Sequence, residues 1–157
     1  MRIERVVVNA SPLICLSKCG LSGLLHALFA EIIMPDRVYE EITVKGVDLF
    51  SFKGFKQMSD IVIPPSVASW DLGEGESAVL AYALRNPDFW AVIDDREARR
   101  CALSLGCRYI GTVGIILLAK RRDIISSVGE SLEKLQNAGL WLSETFIKEV
   151  CRKAGEN

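Results

Sequence analysis

Two adjacent carboxylates, Asp94 and Asp95, follow the apolar run Phe89-Trp90-Ala91-Val92-Ile93 and precede a helical pattern that opens at Arg96. A short uncharged run of this kind reads as a buried parallel strand. The pair therefore stands at the carboxyl end of a strand, where ligands bind in open α/β sheets. Asp95 also has a structural explanation, because a carboxylate at a helix start accepts orphan backbone N–H bonds and suits the dipole. Capping explains one aspartate more easily than two. Comparable junctions carry further oxygen donors. Asn9 follows Val6-Val7-Val8, and Thr112 follows Cys107-Arg108-Tyr109-Ile110. Glu76 lies in the first turn of the helix opened by Gly73-Glu74-Gly75, where it too suits the dipole. Glu40 and Glu41 sit on the helix after the second strand, about 100° apart, so at most one can face a shared site.

Clustered carboxylates without His, thiolate or a serine–base pair suit hard divalent cations. Mg²⁺ prefers oxygen ligands, keeps several waters, and needs only one or two carboxylates beside substrate phosphates. Two such ions about 4 Å apart can activate water and stabilise the leaving oxygen of a phosphodiester. The competing chemistries are poorly served. His26 is the only histidine, which excludes a catalytic His dyad, and it lies opposite the apolar stripe of its helix. Cys15 and Cys19 have a helical ligand spacing, yet no second pair or nearby His completes a soft-metal site. All five cysteines read as small apolar thiols. Gly73-Glu74-Gly75 follows no strand directly, so it is a weak sign of a phosphate loop.

The elements that must position these groups alternate. Strands are predicted near residues 5–8, 31–34, 61–63, 89–93 and 107–110. Helices are predicted from Ser11-Pro12, over 21–29, 36–43, 73–84, 96–105, 113–120, 126–137 and 143–154. Residues 46–59 read as a loop or irregular helix, and 66–72 as a connection. This order specifies an α/β fold with a parallel sheet covered on both faces. Lys120-Arg121-Arg122 fits the negative end of its helix, or alternatively a phosphate backbone. The apolar residues of 13–29 suggest a face buried either by the C-terminal helices or by a second chain.

At 157 residues the chain is expected to form one domain with its own core. A net charge of −1 gives no global pull toward nucleic acid, so any such contact has to be local. No apolar run approaches a membrane span, and Met1-Arg2-Ile3-Glu4-Arg5 leads directly into a strand. Neither a transmembrane segment nor a signal peptide is expected, and the expected location is the cytoplasm.

Four segments, taken in order, resemble a PIN domain over roughly residues 6–155. They are Val6-Val7-Val8-Asn9-Ala10-Ser11-Pro12-Leu13-Ile14, Leu72-Gly73-Glu74-Gly75-Glu76-Ser77-Ala78, Ile93-Asp94-Asp95-Arg96 and Tyr109-Ile110-Gly111-Thr112-Val113-Gly114. The likeness is closest to the prokaryotic, VapC-like subfamily. It implies a three-layer fold with a central parallel sheet of about five strands flanked by helices, and an acidic pocket. It further implies a Mg²⁺- or Mn²⁺-dependent nuclease for single-stranded RNA, often the toxin of a toxin–antitoxin pair and commonly a homodimer. Carried over by position, the resemblance puts Asn9, Glu41, Glu76, Asp94 and Asp95 in the catalytic set, with Asn9, Glu76 and Asp94 as metal ligands. Ser11, Arg99 and Thr112 fall to the substrate, and Arg99 can pair with Asp95 one turn earlier. Asn9 departs from the pattern, since an amide oxygen ligates Mg²⁺ without charge. A second reading is a PIN-like scaffold with weak or lost catalysis that binds RNA or a protein partner. A third is a flavodoxin-like fold for a small phosphorylated ligand.

Overall fold

The structure, a computed structural model, describes residues 2–156. Its strands are β1 (Arg5–Val8), β2 (Glu31–Pro35), β3 (Lys56–Met58), β4 (Trp90–Val92) and β5 (Tyr109–Ile110). They form one all-parallel sheet in the order β3-β2-β1-β4-β5. β1 is central: Val6 and Val7 pair with Ile32 and Ile33 on one side and with Trp90 and Ala91 on the other. Val6, Val7 and Val8 are fully buried, as an unbroken valine run requires when helices cover both faces.

The helices are α1 (Ala10–Lys18), α2 (Gly23–Leu28), α3 (Asp36–Val44), α4 (Pro65–Ala68), α5 (Glu74–Arg85), α6 (Arg96–Leu105), α7 (Thr112–Arg121), α8 (Val128–Asn137) and α9 (Glu144–Lys153). α6 follows the predicted span because its signals are strong at both ends. Asp95 Oδ2 accepts the Ala98 N–H at 2.9 Å, and Gly106 closes the helix in the left-handed conformation at φ 74°. α5 packs across β1, β2 and β4, and α3 packs against α5.

Several expectations are corrected. The third strand is Lys56–Met58, inside the stretch read as a loop, whereas Ile61-Val62-Ile63 has no ladder. Asp60 at φ 57° turns the chain out of β3, and Pro64 and Pro65 follow with no N–H to donate. Ile61 and Ile63 are half-buried and Val62 is exposed, so their apolarity serves packing without backbone pairing. The cap of α1 is Asn9 and not Ser11, and the helix starts at Ala10, which places Pro12 in its first turn. The short helix α4 (Pro65–Ala68) occupies the start of the segment read as a connection.

Two of the three cations at the end of α7 are committed to the fold. Arg122 donates to the Leu28 carbonyl at 2.6 Å and to the Ile3 carbonyl at 3.0 Å. Lys120 donates to the Ser126 carbonyl and pairs with Glu156 at 3.1 Å. Both therefore serve the fold, as the helix-end reading expects, while Arg121 is exposed. Leu13, Leu16, Leu24, Leu25, Leu28 and Phe29 are all buried within the chain. α7 packs against both α1 and α2 and covers part of that face. Among the described residues no helix is long and apolar enough to cross a membrane.

Candidate metal centre at the sheet switch point

From β1 the chain first builds β2 and β3 on one side, then crosses to build β4 and β5 on the other. The carboxyl ends of β1 and β4 therefore flank the place where strand order reverses, and no side chain from an intervening strand fills it. The Asn9 N–H, just past β1, donates to the Val92 carbonyl at the end of β4 at 3.1 Å. Backbone pairing thus sets Asn9 beside the segment carrying Asp94 and Asp95. Asn9, Ser11, Glu41, Glu76, Asp94 and Asp95 line one pocket of about 310 Å³, with Gly73 and Gly75 completing the wall. Glu40 faces a different pocket, so of the two adjacent glutamates it is Glu41 that reaches this one.

Asp94 is the most constrained of these side chains. Its Oδ1 accepts the Thr112 N–H at 2.8 Å and an Arg99 Nη2 hydrogen at 3.4 Å, and its Oδ2 accepts the Thr112 hydroxyl at 2.5 Å. Arg99 also donates from Nε to the Ile93 carbonyl at 3.2 Å and lies over the Tyr109 ring. One expectation changes here. Arg99 pairs with Asp94 and not with Asp95, whose Oδ2 caps α6. Thr112 is fully buried, and its N–H and hydroxyl both go to Asp94, so it positions that carboxylate. Ser11 is exposed at the rim.

Glu76 is the least satisfied. Its Oε2 is buried without a hydrogen-bond partner. Burial pushes its carboxyl up from 4.5 to about 7, and the carboxylates of Asp95 and Glu41 push it the same way. Asn9 is buried too, with its Oδ1 near Gly75. A Cβ at Gly75 would touch both Asn9 Oδ1 and Val38, and a Cβ at Gly111 would collide with the Arg99 guanidinium and press on Asp94 Oδ1 at 2.9 Å. Gly73, Gly75 and Gly111 thus wall the site, although the sequence signalled them as helix-start residues and, for Gly73 and Gly75, as a weak phosphate-loop sign. What they supply is absence of bulk, which has no chemical signature in a sequence.

The donor set is all oxygen: one amide and four carboxylates. Among the described residues no group of three or more His, Cys, Asp or Glu side chains could hold a metal ion. Carboxylates alone therefore do not complete a cage. A hard divalent cation fits such a set, because Mg²⁺ needs only one or two carboxylates and fills its remaining positions with water and phosphate oxygen. The buried, unpartnered Glu76 oxygen is the observation that fits a cation best, since an orphan carboxylate oxygen is costly without one.

A family model described as a PIN domain matches residues 5–156. No curated protein and no solved structure matches the chain.

Proposed function

The chain belongs to the PIN-domain family, and on that premise we propose that it is a Mg²⁺- or Mn²⁺-dependent endoribonuclease cutting single-stranded RNA. A nuclease-type function with a divalent metal is the general property of the family. The VapC-like assignment adds the toxin of a toxin–antitoxin pair, a cytoplasmic homodimer neutralised by an antitoxin protein. The observation that carries the reading is the unpartnered, buried Glu76 oxygen in a pocket walled by Asn9, Glu41, Asp94 and Asp95.

Asn9, Glu76 and Asp94 would hold the cation, with Glu41 and Asp95 extending the acidic wall. The bound cation supplies the positive charge that polarises a phosphodiester and acidifies a water. The chain's own residues prepare that chemistry. Thr112 and Arg99 hold the Asp94 carboxylate in one orientation before any ligand arrives, so no reorganisation is needed on binding. Ser11 offers an exposed hydroxyl at the rim that can donate to a phosphate oxygen.

A second reading, a PIN-like scaffold with weak catalysis that binds RNA or protein, is favoured by one specific feature. Asn9 stands where the resemblance expects an acid, and an uncharged ligand weakens cation binding. Calorimetric titration of Mn²⁺ into the wild type, Glu76→Gln and Asp94→Asn, paired with cleavage of single-stranded RNA, separates the two. The nuclease reading expects binding and cleavage in the wild type and loss of both in each variant. RNA binding without Mn²⁺ binding or cleavage would leave the scaffold.

A further inference from the structure

A second cavity, larger than the carboxylate pocket, is also lined by residues of α3 and α5. It measures about 600 Å³. The two helices divide their neighbouring glutamates between the two pockets: Glu41 and Glu76 face the smaller, Glu40 and Glu74 the larger. Asp36, Glu40, Asp60, Asp71 and Glu74 line the larger pocket, and Arg37 is the one cation among its lining residues. Arg37 is already shared between Glu74 at 3.3 Å and Glu40 at 3.7 Å, and Asp36 accepts from Gln57 at 2.6 Å. Among the described residues Asp60 and Asp71 have no such partner, and both hold the left-handed conformation, at φ 57° and 54°. The interior is apolar instead: Met58, Ile61, Ile63 and Leu72 are half-buried there, and Pro35 is buried.

We propose that this cavity is a docking site for a protein segment in which arginine or lysine alternates with aliphatic side chains. Charge decides against nucleic acid, since five carboxylates facing one already paired guanidinium repel a phosphate backbone. The distribution of polarity decides between a peptide and a small cation. A small-molecule site converges a few buried polar groups on its ligand. Here Arg37, Glu40, Asp60, Asp71 and Glu74 are exposed at the rim and the floor is apolar, which is the layout of a protein interface with a greasy centre and a polar edge. Aliphatic side chains of the partner would displace water from Ile61, Ile63 and Leu72, while its cations would meet Asp60 and Asp71. This inference does not depend on metal binding at the neighbouring site.

The test is fluorescence anisotropy of a short labelled peptide alternating leucine and arginine, against the full chain and the double variant Asp60→Asn, Asp71→Asn. Asparagine tolerates the left-handed conformation as well as aspartate does, so the variant keeps the backbone and removes only charge. An unchanged far-UV circular dichroism spectrum verifies its fold. The expected result is saturable binding to the wild type, weakened about tenfold in the variant and absent for a leucine–glutamate peptide. Equal affinity for wild type and variant overturns the proposal. So does oligoarginine or spermine binding as tightly as the leucine-bearing peptide, or single-stranded RNA displacing the peptide competitively.

Discussion

At the scale of single residues, charge at one position governs what the acidic pocket can do. Asn9 is buried beside Gly75 and brings a neutral amide oxygen to a pocket otherwise walled by the carboxyls of Glu41, Glu76, Asp94 and Asp95. If the site takes a cation, Asn9→Asp should tighten Mn²⁺ binding and raise cleavage of single-stranded RNA, because a carboxylate attracts the ion far more strongly than an amide. The side chains are nearly equal in volume, so packing does not confuse the result. In a site without metal, the added carboxylate would only repel Glu76 and Asp94 and lower the melting temperature. Melts with and without Mn²⁺ separate these outcomes, and a lower melt that Mn²⁺ fails to restore would leave only the scaffold. Glu76→Gln is the complementary test. A carboxyl held above its ordinary 4.5, at about 7, withdraws stability as pH rises through that window and keeps it withdrawn above. Without metal at about pH 8, the variant should therefore melt higher than the wild type, and Mn²⁺ should no longer raise its melting temperature.

At the scale of elements, the ends of α7 and α8 show how charge is spent on the fold. Glu156 accepts the Val128 N–H at 2.7 Å, the Gly129 N–H at 3.1 Å and the Ser127 hydroxyl at 3.3 Å, with Lys120 alongside. These backbone donors, and then Lys120, hold its carboxyl down from 4.5 to about 2. Stability from this latch is complete above 4.5 and lost as pH falls toward 2. Glu156→Gln should lower stability at neutral pH by about 1 kcal/mol and flatten the acid limb of a denaturation profile taken against pH. Arg122 ties the end of α7 to the carbonyls of Leu28 and Ile3. Its loss strands two acceptors, so Arg122→Ala should cost about 2 kcal/mol in chemical denaturation. If the same variant instead kept its stability and lost RNA affinity, the phosphate reading of this cluster would return.

At the scale of the whole molecule, the candidate site is set by where the strand order reverses. Asn9 and Asp94 are far apart in sequence and meet because β1 and β4 are neighbours, with Asn9 bonded to Val92. The same order puts β3 at a sheet edge and opens the larger pocket between it, α3 and α5. The proposed homodimer also belongs to this scale. α1, α2 and α7 bury their apolar faces against one another, so a dimer would have to use other surface, such as the exposed Trp141 and Phe146. Light scattering should report twice the chain mass, and a monomer at high concentration would sink the dimer.

Much of the molecule was legible from the sequence, for local reasons. The valine run, the Asp95 cap with Gly106, and the alternation of apolar strands with periodic helices depend on neighbours a few residues away, which a sequence displays directly. The motif order was sufficient to recognise the family, and with it the residues that gather around the pocket. The rest is decided by long-range geometry. Ile61-Val62-Ile63 is more β-prone than Lys56-Gln57-Met58, yet the latter forms the edge strand, because pairing depends on which backbone lies beside β2. Thr112 and Arg99 hold Asp94 because β5 lies next to β4 and α6 folds back over Tyr109. Strand order is a property of contacts between distant segments, and no local pattern of side chains encodes it. Composition therefore identified the oxygen donors, and tertiary packing alone decided which of them carry charge into a common pocket and which are held by the fold.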